Sequence, residues 1–320
     1  MTRAVVFAYH DVGVRCLEVL LAHQIRPALV ITHADNSNET IWFDSVAAMA
    51  VRYELQVALD PDPRSVEFAQ RVAALRPEFL FSFYYRQMLP PALLALASRG
   101  AFNMHGSLLP KYRGRVPVNW AVIHGERETG ATLHEMTAKP DAGRIVDQAT
   151  IPILPNDLAV DVFRKVTVAA EIVLDRTLPR LLAGNCELRA QDLTQGAYFS
   201  GRRAEDGRIN WRAGAWQVHN LVRAVAPPYP GAFCDTAAGR LEILRTHWQG
   251  ERAMPRAMSR VVSSCVPCLF LDGNHIRIQA IDGGSLSVES ARVNAQELAP
   301  HNFVQLLGGT KLEFTVPSAP

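Results

Sequence analysis

Asn103 and His105 stand two residues apart in the run AFNMH. In an extended strand that spacing puts both side chains on one face. An Asn amide donates to a carbonyl oxygen, and a His donates to an oxyanion or carries a proton near neutral pH. Gly106 lets the chain turn after them. Leu108, Leu109 and Pro110 then form an apolar wall, and Lys111, Tyr112, Arg113, Gly114 and Arg115 a flexible cationic loop. A second polar island, Thr137-Ala138-Lys139-Pro140-Asp141-Ala142-Gly143, follows the strand-like ATLHEM. Asp141 completes an Asn/His/Asp set, in which a carboxylate can set the imidazole's charge or accept a proton from an attacking group. No Ser, Cys or Lys sits in a nucleophile motif such as GxSxG. The set suits direct acyl transfer to an external nucleophile through a tetrahedral intermediate, with no covalent enzyme intermediate. The same residue types also suit a histidine satisfied within a core and an aspartate capping a helix.

The elements that must position these residues follow from hydrophobic periodicity. AVVFAYH is an almost unbroken apolar run, as in a strand covered on both faces. Asp11 is expected to cap the helix that follows, which carries Val14, Leu17, Val19, Leu20 and Leu21. PALVITH (27–33), Val57–Leu59, EFLFSF (78–83) and AFNMH read as further strands. Helical stretches lie between them, around Ser45–Tyr53, at 65–75 and at MLPPALLALAS. Such β–α alternation predicts an α/β fold with a doubly wound, mostly parallel, Rossmann-like sheet. In that sheet Asn103 and His105 are expected at a strand's carboxyl end, where ligands bind. The first strand–helix turn, YHDVGVR, lacks GxGxxG, which counts against a nicotinamide or flavin dehydrogenase, and no GxxxxGK[ST] loop is present.

A long helix is expected after Asp157, capped by Asn156 or Asp157 and ended near Gly184. GAYFSGRRAEDGRINWR (196–212) reads as an inter-domain linker. One amphipathic helix is expected at 213–225, followed by short alternating runs (LEILRTHW, NHIRIQAI, SLSVESARV) separated by Gly, Pro and Asp. These predict a smaller, β-rich, OB-like C-terminal domain. The expected division is 1–203 for the catalytic domain and 204–320 for the second.

The chain has 320 residues, 48% apolar and 20% charged, as in an ordinary globular protein. Its 33 Lys+Arg against 31 Asp+Glu leave +2, so it has no global field for gripping a polyanion. No apolar run reaches the ~18–20 residues of a membrane span, and the N-terminus has no long apolar leader. A cytoplasmic protein without stable membrane association is expected. Five scattered cysteines do not make a disulfide framework. Cys265-Val-Pro-Cys268 has CxxC spacing, but no second CxxC or His pair completes a metal site, and it lies in the apolar run VVSSCVPCLFL. No metal is expected.

The segment Asn103-Met104-His105-Gly106-Ser107-Leu108-Leu109-Pro110-Lys111-Tyr112-Arg113-Gly114 resembles the signature of the 10-formyltetrahydrofolate-dependent formyltransferases. Asp141-Ala142-Gly143 matches that family's later Asp loop. Trp211, His219-Asn220-Leu221-Val222-Arg223-Ala224 and Pro230-Gly231-Ala232-Phe233 look like its second domain. The likeness spans about residues 3–235 and fades after about 240. It implies that Asn103 polarises the formyl carbonyl, that His105 is proton donor and oxyanion partner, and that Asp141 sets its charge or takes the amine proton. It also implies that 10-formyltetrahydrofolate lies along Gln87, Met88, Leu89, Arg115, Thr137, Ala138, Lys139, Pro140 and Asp141. Gln87–Leu89 would otherwise read as ordinary packing at a helix start.

Val5–Asp11, Thr32–Asn36 and Phe81–Arg86 are most similar to members that formylate UDP-4-amino-4-deoxy-L-arabinose for lipid A modification and polymyxin resistance. Those members carry a fused decarboxylase, which is expected here as a separate protein. A UDP group would want positive charge, for which Arg202 and Arg203 are candidates. The alternative within the family is methionyl-tRNA formyltransferase. Its basic loop after the second strand has no counterpart here: residues 27–51 hold no Lys or Arg, while Asp35, Glu39 and Asp44 are acidic. No nucleic-acid partner is expected. A formyltetrahydrofolate hydrolase would carry an extra N-terminal domain, which is not expected before Arg3. A binding module without catalysis would not need the Asn103/His105/Asp141 set.

Overall fold

The computed structural model describes residues 2–37, 39–250 and 265–316. The strands and helices are, in chain order, β1 (Ala4–Ala8), α1 (His10–Ala22), β2 (Leu29–Thr32), α2 (Val46–Arg52), β3 (Val57–Leu59), α3 (Val66–Ala74), β4 (Phe79–Phe83), α4 (Pro91–Leu94), β5 (Ala101–His105), β6 (Arg113–Gly114), α5 (Pro117–Ile123), β7 (Glu128–Glu135), β8 (Ile145–Pro152), α6 (Ala159–Ala183), β9 (Tyr198–Phe199), α7 (Ala215–Val225), β10 (Ala232–Thr236), β11 (Gly239–His247), β12 (Cys268–Asp272), β13 (His275–Gln279), β14 (Ser285–Val293), β15 (Gln296–Glu297), α8 (Phe303–Leu307) and β16 (Lys311–Glu313).

The first seven-stranded sheet runs β3-β2-β1-β4-β5-β7-β8. The pairings from β3 to β5 are parallel, whereas β5 and β7 pair antiparallel. The strand order reverses between β1 and β4, as in other doubly wound sheets. All residues of β1, β2 and β4 are buried, as their unbroken apolar runs require. Val5, Phe7, Leu29, Ile31 and Leu80 pack with Phe68, Val72 and Leu93 in one core cluster.

Helix boundaries follow local chemistry with two departures from expectation. Ser45 and Ser65 cap α2 and α3 by accepting from Ala48 and Phe68 N–H. Asp11 does not cap α1: the helix starts at His10, with Tyr9 extended at the N-cap position. Asp11 lies in the first turn and accepts from the Asp44 N–H at 2.7 Å. Asn156 and Asp157 do not start α6 either. Asn156 bonds Trp248 and Asp157 accepts from Leu154 N–H, while Asp161 accepts from Leu158 N–H just before the helix. Gly184, at φ 72°, follows the last residue of α6, as expected.

The chain forms two compact units. One comprises residues 1–117, 129–151 and 163–200, and the other 118–128, 152–162 and 201–320. The second is built on a seven-stranded sheet ordered β10-β11-β14-β13-β12-β16, with β15 on β14, and every pairing in it is antiparallel. The stretch read as a linker is partly structural: β9 pairs in parallel with β6, inside the first unit. Among the described residues all five cysteines are free. Cys268 is buried in β12; residues 261–264 of the run that contains it lie outside the described residues. No described helix is long and apolar enough to cross a membrane.

The second unit is tied together by buried polar residues of α7. Arg223, 1% exposed, donates to Asn220 Oδ1 at 2.9 Å and to the carbonyls of Asp157 at 3.2 Å and Leu154 at 3.4 Å. Asn119 donates to the Ala224 carbonyl at 2.8 Å. His219, fully buried, lies between Thr246 Oγ1 at 2.8 Å and the Pro155 carbonyl at 2.9 Å. Burial pushes its imidazole down to about 4, aided by Arg223 and His247 and opposed by the Pro155 carbonyl. An unfolded His takes up a proton near pH 6.5, so the unfolded chain binds more protons than the folded one below that pH. The stability this neutral imidazole contributes is therefore complete above about pH 6.5 and is lost as pH falls towards 4, a swing of ~3 kcal/mol. Trp216 and Trp248 lie 5.6 and 6.2 Å from the His219 ring, so their fluorescence reports this region. Denaturant midpoints followed that way are expected to fall between pH 6.5 and 4.5, and to fall less in His219→Gln. An equal fall in both proteins would contradict the assignment.

Candidate active site

The antiparallel pairing of β5 with β7 sets the site. Its register places Asn103 opposite His134 and His105 opposite Thr132. Opposed residues share a face, so Asn103, His105 and His134 lie on one surface of the sheet. Asn103 is mid-strand and His105 ends β5, so the set begins on the face of the sheet and extends to the carboxyl end. After β7 the chain loops back and returns Asp141 to the same face.

His105 is 6% exposed. Its Nε2 lies 2.8 Å from the Tyr112 carbonyl, which can only accept, so the Nε2–H donates. In the neutral ring the proton-accepting nitrogen is then Nδ1, which faces Asp141 Oδ1 at 3.7 Å. His134 Nε2 is 3.5 Å from the same oxygen. Asp141 Oδ2 accepts from Gly114 N–H at 2.8 Å. Burial alone would raise this carboxyl, but His105, His134 and the Gly114 N–H outweigh it and hold it well below the usual carboxylate range. Asp141 therefore stays ionised wherever the protein is folded near neutral pH. Asn103 Nδ2 lies 3.1 Å from His134 Nε2.

The loop that supplies the Tyr112 carbonyl is fixed from outside. Ser107 Oγ donates to the Lys111 carbonyl at 2.6 Å, and Thr132 Oγ1 donates to the Ser107 carbonyl at 2.6 Å. The presumed linker clamps the other side. Arg113 N–H donates to Ala197 O at 3.1 Å and Arg115 N–H to Phe199 O at 2.9 Å. The Arg113 guanidinium reaches the carbonyls of Leu193 and Gly196 at 3.3 and 3.1 Å. Tyr112 stacks on Phe199 with ring centroids 5.1 Å apart. Tyr84, Tyr112 and Asp141 adopt φ of 57°, 55° and 50°, left-handed conformations that ordinary residues hold only where the surroundings enforce them. The Tyr84 hydroxyl lies so close over Gly106 that a Cβ there would fall 1.7 Å from it.

Reading the sequence singled out Asn103, His105 and Asp141, and the fold brings them together. It did not single out His134, although the strand ATLHEM was recognised. Only the register of two segments about thirty residues apart sets it beside Asn103. Gln87 and Met88 lie on an exposed loop after β4, and Leu89 is buried in the core cluster. The backbone N–H and C=O groups of Gln87 and Met88 make no hydrogen bond to described residues, leaving them open to a ligand. Arg115 Nη2 reaches the Arg86 carbonyl beside them at 3.5 Å. Thr137, Ala138 and Lys139 are exposed, with Thr137 Oγ1 donating to Lys139 O; Pro140 is half-buried. Arg202 and Arg203 belong to the second unit. Arg202 stacks over Trp120 at 4.8 Å and donates to Asp206 O, and Arg203 is exposed. Among the described residues no cluster of His, Cys, Asp and Glu could hold a metal ion.

Two family models match this chain: a formyl transferase model over residues 24–178, and a formyl transferase C-terminal domain model over 202–304. The chain belongs to the formyl transferase family. Solved structures share its fold. An N-formyltransferase from Helicobacter canadensis, in complex with folinic acid and dTDP-3-aminofucose, is 20% identical with TM-score 0.71, covering 93% of this chain and 100% of that one. WlaRD, a sugar 3N-formyl transferase solved with dTDP and 5-N-formyl-THF, is 19% identical with TM-score 0.68, over 93% and 98%. Methionyl-tRNA formyltransferase from Clostridium thermocellum is 14% identical with TM-score 0.54, over 78% and 94%.

In this formyl transferase, Gly114 joins the clamp to the acid. Its φ is 103°, and a Cβ would stand 2.2 Å from the Phe199 carbonyl, so a side chain must displace the N–H that binds Asp141. Gly114→Ala is expected to cost ~1–3 kcal/mol of stability, the scale of such backbone strain. It should also lower turnover at least tenfold in a formyl-transfer assay at a temperature where circular dichroism shows it folded. Wild-type turnover in a folded Gly114→Ala would show that the contact does not position Asp141.

Proposed function

We propose that this chain transfers the formyl group of 10-formyltetrahydrofolate to the amine of a UDP-amino sugar, with UDP-4-amino-4-deoxy-L-arabinose as the acceptor. The observation that carries the reading is the convergence of Asn103, His105 and an ionised Asp141 on one sheet face, with no nucleophilic side chain among them. Such a set favours attack by an external amine.

The hydrogen bonds support the following residue roles. Asn103 Nδ2–H donates to the formyl oxygen as the amine nitrogen bonds to the formyl carbon and the carbonyl π pair moves onto oxygen. His105, with its Nε2–H committed to Tyr112, takes the amine proton at Nδ1. Asp141 remains a carboxylate and stabilises the imidazolium so formed, so of the two roles open to it the charge-setting one fits best. His105 then returns that proton to the departing donor nitrogen as the old C–N bond breaks and the carbonyl re-forms. Stabilising the oxyanion is the larger electrostatic contribution, on the order of 10²–10³ in rate per donor.

The donor would lie along Gln87, Met88 and Leu89, whose open backbone groups suit a pterin's amide edge. Arg115 and the Thr137–Asp141 loop would flank it. The solved relatives described with folates and dTDP sugars support a nucleotide-sugar acceptor. The likeness of Val5–Asp11, Thr32–Asn36 and Phe81–Arg86 to arabinose-formylating members supports the specific sugar. The preceding decarboxylation would come from another protein, and the product would enter lipid A modification. The acidic 27–51 segment, where Glu39 pairs with Arg86 at 2.8 Å, argues against tRNA, whose phosphates need clustered cations.

Tetrahydrofolate release is expected with 10-formyltetrahydrofolate plus UDP-4-amino-4-deoxy-L-arabinose, and not with methionyl-tRNA or without acceptor. Release with methionyl-tRNA, or without any acceptor, would overturn the reading in favour of a tRNA enzyme or a hydrolase. His105→Ala is expected to reduce turnover at least ~10²-fold, on the scale of lost acid–base catalysis, while folate binding measured by calorimetry stays within about threefold. Near-normal turnover would remove His105 from the mechanism.

A further inference from the structure

Asn103 can polarise a carbonyl only if its amide nitrogen, not its oxygen, is presented to the substrate. Nothing in an isolated Asn decides this, because rotation by 180° about the last side-chain bond exchanges the two at little cost. Here His134 decides it. His134 is 1% exposed, and its Nδ1 stands 2.7 Å from the Glu135 carbonyl. A carbonyl has no proton to give, so Nδ1 carries the hydrogen. In the neutral ring Nε2 is then a lone pair. That lone pair faces Asn103 Nδ2 at 3.1 Å, the nearer of its two neighbours, with Asp141 Oδ1 at 3.5 Å, and can only accept.

We propose that His134 is a positioning residue for formyl transfer: its Nε2 lone pair holds one N–H of Asn103, so that the amide's second N–H points at the formyl oxygen. The proposal rests on the acyl-transfer reading of the site. It assigns the two ring nitrogens separate tasks, with Nδ1 anchored to the strand backbone and Nε2 orienting the amide. It also makes the orientation depend on protonation. An imidazolium at His134 has no lone pair for Asn103. Its Nε2–H would turn to Asp141 Oδ1 at 3.5 Å, or would bind Asn103 Oδ1 after the amide rotates. Either outcome withdraws the ordered donor.

The charged and titratable groups around this ring are few. Asp141 faces it from the returning loop, and His105 packs edge-on from β5 with ring centroids 6.4 Å apart. The Glu135 carboxylate is bound bidentately by Arg144 at 2.6 and 2.7 Å. Asp141 thus serves both histidines, and a proton on His134 would compete with His105 for it.

The test uses the full-length protein. In protein labelled with ¹⁵N-histidine, the signal lost in His134→Gln identifies His134, and its shifts at neutral pH should show a protonated Nδ1 and an unprotonated Nε2. A proton on Nε2 in that state would overturn the proposal without any assay of activity. In kinetics, His134→Leu should lower kcat ~10²-fold, the scale for a lost oxyanion donor, with KM for the formyl donor within about threefold. His134→Gln offers Asn103 an amide oxygen that cannot titrate. It should retain kcat within about tenfold of wild type, well above that of His134→Leu. A kcat more than tenfold below wild type in a folded His134→Gln would overturn the proposal, including when His134→Leu fails to fold. If wild type turns over no acceptor, the proposed function fails, and the nitrogen shifts still decide the tautomer.

Discussion

The antiparallel register of β5 against β7 is the constraint on which the site depends. Every other pairing from β3 to β5 is parallel, and β1, β2 and β4 are buried along their whole length, where a strand needs mainly apolar side chains. At β7 the direction reverses, and Asn103 meets His134 side by side. A slip of one residue would turn every side chain of β7 to the other face, leaving Asn103 opposite Leu133 or Glu135. Thr132 helps pin this register, because its hydroxyl donates to the Ser107 carbonyl and accepts from the Leu109 N–H. Gln148 adds bonds to Thr132 Oγ1 and the Leu109 carbonyl, both at 2.9 Å. The Thr132 contacts to Ser107 and Leu109 are buried, so losing one partner would leave the other without water to replace it.

The site's electrostatics follow from that packing. Burial would raise the Asp141 carboxyl, but two imidazoles and the Gly114 N–H converge on it and hold it below the usual carboxylate range. The strained φ values of Tyr84, Tyr112 and Asp141 surround the same volume. Strain of this kind persists when neighbouring contacts over-determine the backbone. Here those contacts are identifiable: the β6–β9 pairing, the Arg113 guanidinium on the Leu193 and Gly196 carbonyls, and the Tyr112–Phe199 stack.

Much of this was legible in the amino-acid sequence, for physical reasons. Buried parallel strands write themselves as continuous apolar runs, so β1, β2, β4 and β5 fall within a residue or two of where periodicity puts them. The Asn103, His105 and Asp141 trio was legible because polar residues are conspicuous in an apolar frame. What was not legible depended on long-range pairing. His134 on an alternating strand reads as core until Asn103 is set beside it. Residues 196–200 read as a polar tether because their function lies in backbone groups that bind the 113–115 loop. Asp11, Asn156 and Asp157 looked like helix caps since that is the commonest local use of such residues. The Asp44 and Trp248 backbones claimed Asp11 and Asn156 instead, and Asp157 turned back to the Leu154 N–H.

The division into two units carries a consequence for how such a molecule could be taken apart or recombined. The chain passes between them five times, at 117/118, 128/129, 151/152, 162/163 and 200/201. The boundary is thus a seam sewn through β7, β8 and α6, not a single joint. Modular exchange with a relative would have to carry three separate stretches together, 118–128, 152–162 and 201–320. A transplant of the last alone would leave Arg223 and His219 of the donor facing foreign carbonyls in place of those of Leu154, Asp157 and Pro155. During synthesis, likewise, the stretches 118–128 and 152–162 emerge well before α7 exists to bind them. The second unit can therefore close only after the first is almost entirely made.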